Sequence, residues 1–229
     1  NQERSAARNN GIDLAKGKFI CFLDSDDYYL SNHLSILNDE IEKLHNPQNI
    51  IFTVNRFLER PDGQRSIQPS PKSIVSFNEQ LIHYAILSNP PIQTMCIRHT
   101  CLKEIRFKDE WLPYSECYQF SFDLLKKGMR YHFIDTPTVV MVIHETNTTR
   151  LSFEFLYQRY NFINKFSALI GVTSNPDIKA KKTELLLGIA TFENQRQKRL
   201  KTAVEILKLN PKALGSRPFW GLIKRIIFS

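Results

Sequence analysis

Phe19-Ile20-Cys21-Phe22-Leu23-Asp24-Ser25-Asp26-Asp27 is an apolar run that stops on three carboxylates spaced i, i+2, i+3. Gly17-Lys18 gives a turn signal before it and two aromatics lie within it, so it reads as a buried strand whose C-terminal end carries the acids. Open α/β sheets keep their ligands at such ends. Carboxylates sharing one site push a pKa up unless a cation sits between them. A divalent metal removes the conflict, and hard carboxylate oxygens suit Mg²⁺ or Mn²⁺. A solvated turn in which Asp26 or Asp27 merely caps the next helix uses the same residues.

Before the strand stand Asn1-Gln2-Glu3-Arg4-Ser5-Ala6-Ala7-Arg8-Asn9-Asn10-Gly11-Ile12 and then Ala15-Lys16-Gly17. Ala6, Ala7, Leu14 and Ala15 at helical spacing form a small-residue face that lets a helix lie close on a sheet, with Gly17 ending it. Taken together, SAARNNGIDLAKGKFICFLDSDD resembles the middle of the nucleotide-sugar-binding domain of the family 2 glycosyltransferases. The pattern of that family is a Ser-x-x-Arg-Asn-x-Gly-Ile helix, an Ala-x-Gly turn and a hydrophobic strand ending in Asp-x-Asp.

The resemblance implies an α/β fold of the GT-A type: a Rossmann-like, mixed and mostly parallel sheet flanked by helices, with a helical C-terminal extension. Family members begin with a strand, helix and strand that grip base and ribose, so the first strands are expected to be missing and the chain to be N-terminally incomplete. The implied reaction moves a sugar from a nucleotide-diphosphate sugar to an acceptor hydroxyl by an inverting, single displacement. Asp24, Ser25 and Asp26 would meet the donor, Asp24 and Asp26 would organise Mn²⁺ or Mg²⁺ on its diphosphate, and Arg8 would hold the nucleotide end. An exposed helix arginine is the plainer reading of Arg8.

With 229 residues and 42% hydrophobic content, the chain can bury one good core plus a small appendage. No run of eighteen apolar residues exists to span a bilayer, and NQERSAARNN has no apolar signal region. A cytoplasmic location is therefore expected. Cys21, Cys96, Cys101 and Cys117 form no Cys-x-x-Cys pair, which argues for reduced thiols rather than a zinc site.

Further along, Leu34, Leu37, Ile41 and Leu44 share one face of a helix from Asn32 to His45, with Ser31 or Asn32 as cap. Ile50 to Val54 reads as a buried strand, Pro61-Asp62-Gly63-Gln64 as a turn, Phe77 to Leu87 as a short helix and Ile92 to Ile97 as a strand. A second informative block runs from Phe107 to Phe120. There the resembled family carries Ser-Glu-Asp-aromatic-x-Phe, whose Asp is the general base, and here the pair is Glu116-Cys117. A thiol with an ordinary pKa near ~8.5 suits that task poorly. Three readings stay open: Glu116 is the base, the protein is a weakened or dead relative, or Cys117 only packs. Glu116 also fits as the acidic first turn of a helix.

His144 follows the apolar run Val139 to Ile143 directly, and the resemblance makes it the residue that completes the metal shell beside Asp26. A hydrogen-bonded structural histidine is the alternative. The loop Glu145 to Arg150 would close over the donor, with Arg150 reaching a phosphate, or is an ordinary surface loop.

The basicity belongs to the tail. Residues 178–229 hold twelve Lys and Arg against three acids, a net +9, which leaves −1 for residues 1–177 of the chain's +8. Leu185, Leu186, Ile189 and Phe192, then Leu200, Ala203, Val204 and Leu207, are spaced for helix packing. Residues 215–229 place Trp and Phe beside Lys and Arg, as an interfacial helix on an anionic membrane surface requires. A helix packed on the catalytic domain or on a partner has the same pattern. No nucleic-acid motif surrounds these charges.

The domains expected are 1–150, a GT-A catalytic domain, and 151–229, a basic helical extension. The expected function is metal-dependent sugar transfer in surface polysaccharide or glycan synthesis, to a glycan or lipid-linked acceptor, on the inner face of the cell membrane. The alternative is a catalytically impaired relative that binds a nucleotide sugar or an assembly partner without transfer. A nucleotidyltransferase also uses paired acids and a metal, but no glycine-rich phosphate loop is present.

Overall fold

The computed structural model describes residues 2–68, 77–88, 90–108, 116–144 and 152–228. The chain divides into two compact units, Asn1–Asn147 and Thr148–Ser229. The expected loop over Glu145 to Arg150, and Arg150 with it, lies outside the described residues.

In the first unit the elements run α1 (Gln2–Leu14), β1 (Phe19–Cys21), β2 (Tyr28–Tyr29), α2 (His33–Lys43), β3 (Ile50–Glu59), β4 (Arg65–Ile67), α3 (Phe77–Gln80), β5 (Met95–Arg98), α4 (Glu116–Lys126) and β6 (Arg130–Val142). They build a mixed sheet in the order β1-β5-β3-β6-β2, with β4 hairpinned onto β3. Alternation decides the two faces, because successive side chains on a strand point opposite ways. Phe52 and Val54 of β3, Cys96 of β5 and Ile134 and Val139 of β6 meet Leu37 and Ile41 of α2. On the other face Phe22, Phe107 and Phe120 stack together, the last two with ring centroids 4.0 Å apart.

Only the β3–β6 pairing is parallel among the described strands; the others are antiparallel. The expectation of a mostly parallel sheet is corrected here. β1 and β3 run the same way. β5 inserts between them, antiparallel to both. The strand is legible in the local pattern, but its place between β1 and β3 is not.

Other local expectations change for similar reasons. The face that α1 buries is Ser5 and Ile12 with Arg8 and Asn9 between, while Ala6, Ala7 and Leu14 are exposed. Polar partners win over small apolar residues: Asn9 Nδ2 donates to Phe107 O (2.9 Å) and Phe107 N donates back to Asn9 Oδ1 (3.0 Å). Gly17 is not the helix cap, since α1 ends at Leu14; instead a Cβ at Gly17 would lie 3.0 Å from Phe19 O. Asn32 occupies the N-cap of α2 without a side-chain capping bond. Only Met95 to Arg98 of the expected Ile92–Ile97 strand is extended, after a 3₁₀ turn over Ile92–Thr94. Phe77 to Leu87 is helical, but widens to a π turn over Leu81–Leu87. The Pro61–Gln64 turn stands as expected, Gly63 taking φ 79°.

The second unit consists of α5 (Phe153–Leu169), α6 (Pro176–Phe192), α7 (Arg196–Leu209) and α8 (Arg217–Ile227). Sequence-local caps start three of them: Ser152 accepts from Phe155 N, Asn175 from Asp177 N and Ile178 N ahead of Pro176, and Ser216 from Phe219 N. α7 turns Ala203 and Ile206 inward and leaves Leu200 and Val204 exposed, contrary to the expected face. No helix among the described residues is long and apolar enough to cross a membrane.

The packing of α2 gives a direct test. Leu37 is 2% exposed and Leu34 is 66% exposed although both belong to the expected apolar face. Leu37→Ala should lower stability by about 2–5 kcal/mol in urea unfolding, and Leu34→Ala should stay within about 0.5 kcal/mol.

Candidate active site

The acids sit on a tight turn at the end of β1, closed by Asp27 N donating to Asp24 O (3.1 Å). Ser25 is exposed at the turn's second position. The chain then returns at once as β2, pairing Tyr28 with Val140 and Tyr29 with Val139. That two-residue strand brings the turn to the C-terminal end of β6. As a result Val142 N donates to Asp27 Oδ1 (3.0 Å), and His144 Nε2 lies 2.7 Å from Asp26 Oδ2. Asp24, Asp26 and Asp27 each offer an oxygen within 4.8 Å of the others.

Arg8 reaches this turn from α1. Its Nη2 donates to Asp24 Oδ1 (2.8 Å), its Nη1 faces Glu116 Oε1 and Cys117 Sγ at 3.5 Å each, and the guanidinium lies over the Phe107 ring. The exposed-arginine reading gives way to a half-buried one. Arg4 adds a longer contact to Glu116 (3.9 Å). Glu116 opens α4 at 6% exposure, so a carboxylate otherwise costly to bury sits between two cations.

One member of the cluster was not singled out from the sequence. Gln93, buried in the 3₁₀ turn before β5, donates through Nε2 to Asp24 Oδ2 (3.3 Å) and to Asp27 Oδ2. His144 contacts Asp26, and Asp27 is the third acid of the cluster. A buried Gln carries no signature in a single sequence, and its partners lie 66 and 69 residues away.

The charges respond to this geometry. Burial pushes the Asp27 carboxyl up, with Asp26 and Asp24 adding to it and the Gln93 and Val142 hydrogen bonds opposing. The hydrogen bond from His144 holds Asp26 below the usual carboxylate range. Burial, reinforced by Glu116 and Asp24 against Arg8, pushes the Cys117 thiol up to about 12. It stays protonated at neutral pH. An excess of negative charge on three hard-oxygen donors is what Mg²⁺ or Mn²⁺ relieves, so these residues fit such an ion.

A mixed sheet flanked by helices with an acidic turn at a strand end defines an α/β fold of the GT-A type. Residues 1–106 match the family model described as glycosyl transferase family 2. Among curated proteins it is similar to the amylovoran biosynthesis glycosyltransferase AmsB of Erwinia amylovora, 27% identical over 58% of this chain and 44% of that protein. It is also similar to WfaP of Escherichia coli, named as a UDP-Glc:α-D-GlcNAc-diphosphoundecaprenol β-1,3-glucosyltransferase, 24% identical over 69% of this chain and 59% of that one. A Haemophilus influenzae glycosyltransferase matches at 29% over 56% of this chain and 47% of its own length. The chain thus spans about half the length of the curated relatives it matches. In fold it is similar to the crystal structure of S. aureus TarS 1-349, at TM-score 0.50 and 19% identity, covering 97% of this chain and 59% of that one.

Among the described residues, removing Arg8 leaves the buried Glu116 with the longer Arg4 contact. Arg8→Ala should therefore cost about 3 kcal/mol in urea unfolding, and Arg8→Ala with Glu116→Gln should recover part of it. Cys117 should resist iodoacetamide at neutral pH in the folded protein and react once unfolded, as peptide mass spectrometry of the labelled chain will read.

Proposed function

We propose that this chain is the catalytic part of a glycosyltransferase that moves a sugar from a nucleotide-diphosphate sugar to an acceptor hydroxyl in polysaccharide assembly. The observation that carries this reading is the meeting of Asp24, Asp26 and Asp27 with Arg8 at the end of β1. Three crowded acids beside a half-buried guanidinium suit a metal-diphosphate and little else. The likeness to AmsB, an amylovoran biosynthesis glycosyltransferase, and to WfaP, named for a diphosphoundecaprenol-linked acceptor, supports a glycan or lipid-linked acceptor.

In this reading Asp24 and Asp26, with His144 beside them, would hold Mn²⁺ or Mg²⁺, and Asp27 would add a third carboxylate. The ion, when bound, supplies Lewis-acid neutralisation of the charge on the departing diphosphate. Ser25 on the exposed turn and Arg150 contact the donor. Arg8, shared between Asp24 and Glu116, turns to the anionic donor as it arrives and so frees a lone pair on Glu116. The acceptor oxygen attacks the anomeric carbon opposite the leaving group while Glu116 takes its proton, which inverts that centre. Cys117 stays a neutral thiol packed against Arg8.

Residues 215–229 face an anionic membrane surface in this reading, which puts the enzyme on the inner face of the cell membrane. One observation favours the second reading, binding without transfer: Glu116 is tied to two arginines and followed by a thiol in place of a second acid.

The test is turnover of UDP-, GDP-, CMP- and dTDP-sugars with Mn²⁺ present. Asp26→Ala and Glu116→Gln should each lower the rate by ~10²- to 10⁴-fold. Donor binding without turnover in the unaltered chain would support the second reading instead. Mn²⁺ at 100 times its Kd should stabilise the chain by about 2.7 kcal/mol, an effect that Asp26→Ala removes.

A further inference from the structure

Gly221 sits in the middle of α8, where glycine is the poorest helix former short of proline. Packing does not call for it. It is not among the glycines with positive φ, and a Cβ at this position would meet nothing within 4 Å. Gly188 on α6 is the contrast, since its Cβ would come within 2.9 Å of Leu156 Cδ1 on α5. What Gly221 leaves is room: a groove of about 320 Å³, with Leu187, Ala190 and Thr191 of α6 on one wall and Gly221, Leu222 and Arg225 of α8 on the other.

The surroundings of the groove are cationic and apolar together. The guanidinium of Arg225 and the ammonium of Lys224 make no hydrogen bond or ion pair among the described residues, and residues 178–229 carry a net +9. Trp220 is 53% exposed, Ile227 59% and Phe228 84%. The Trp220 indole N–H donates to Leu214 O (2.8 Å), so its one polar atom is satisfied inside the protein and the ring needs nothing from water.

An apolar slot with a free arginine at its edge, on a helix that shows aromatics and lysine to the outside, complements a hydrocarbon chain with an anionic head. We propose that the α6–α8 groove seats one hydrocarbon chain of an anionic membrane lipid, with Arg225 beside the head-group phosphate, a role that rests on the membrane-facing reading of residues 215–229. The glycine keeps the slot open at the expense of helix propensity.

Calorimetry of the whole chain with octyl, decyl and dodecyl phosphate below their micellar concentrations tests this. Affinity should rise with chain length, by up to roughly fourfold per methylene, and alkyltrimethylammonium of equal length should bind more weakly. A Cβ at Gly221 meets nothing within 4 Å and leucine favours the helix, so Gly221→Leu should keep its circular dichroism, occupy the slot and lose alkyl phosphate binding. Arg225→Gln should weaken the phosphates and leave the trimethylammonium series unchanged. Affinity independent of chain length, or undiminished binding by Gly221→Leu, overturns the groove even where phosphatidylglycerol vesicles still sediment the protein. A concentration-dependent dimer abolished by Gly221→Leu overturns it as well and gives the slot to a second copy. If the unaltered chain ignores phosphatidylglycerol vesicles altogether, the membrane-facing reading fails too.

Discussion

Three carboxylates with oxygens within 4.8 Å of one another repel by roughly 3 kcal/mol per pair at an effective dielectric near 20. The first unit is arranged around containing that repulsion. Each compensating group comes from a different element: Arg8 from α1, Gln93 from the turn before β5, and Val142 N and the His144 ring from the end of β6. None of these lies close to the acids in the chain except Arg8. Burial, with Asp26 and Asp24 adding to it, still holds the Asp27 carboxyl above its ordinary value. A turn left with surplus negative charge is an imperfect piece of a stable fold and a good seat for a cation.

The backbone serves the same end. β2 is only two residues long, too short to add much to the sheet's stability, but its pairing with β6 carries the acidic turn to the far end of that strand. Tyr29 supports the return by donating to Phe22 O (2.5 Å) and stacking on His33, whose Nδ1 lies 2.8 Å from Thr138 Oγ1. Below the site the aromatic stack of Phe22, Phe107 and Phe120 fixes the base of the turn against α4. Ordinary core packing therefore positions the polar cluster, and the cluster itself can remain strained.

Arg8 is the hinge between the two halves of the site, because one guanidinium contacts both the acidic turn and Glu116. Its planar fork allows this where a lysine could offer only a point charge. A thiol at Cys117 adds no charge to that balance, whereas a second acid there would compete with Asp24 for the same guanidinium. The substitution thus changes the electrostatics as much as it removes a proton acceptor.

Much of this was legible in the chain alone. The apolar run closing on Asp24, Asp26 and Asp27, the Pro61–Gln64 turn and the charge of the tail are all local, and local patterns are what spacing and turn chemistry reveal. Which face a helix buries was less secure: Leu34 and Leu37 look alike in sequence, and only the sheet beneath α2 tells them apart. The insertion of β5 between β1 and β3 and the reach of Gln93 to two acids were decided by tertiary structure. Contacts between distant segments depend on which surfaces pack best in the whole molecule, and no periodicity in a single chain records that outcome.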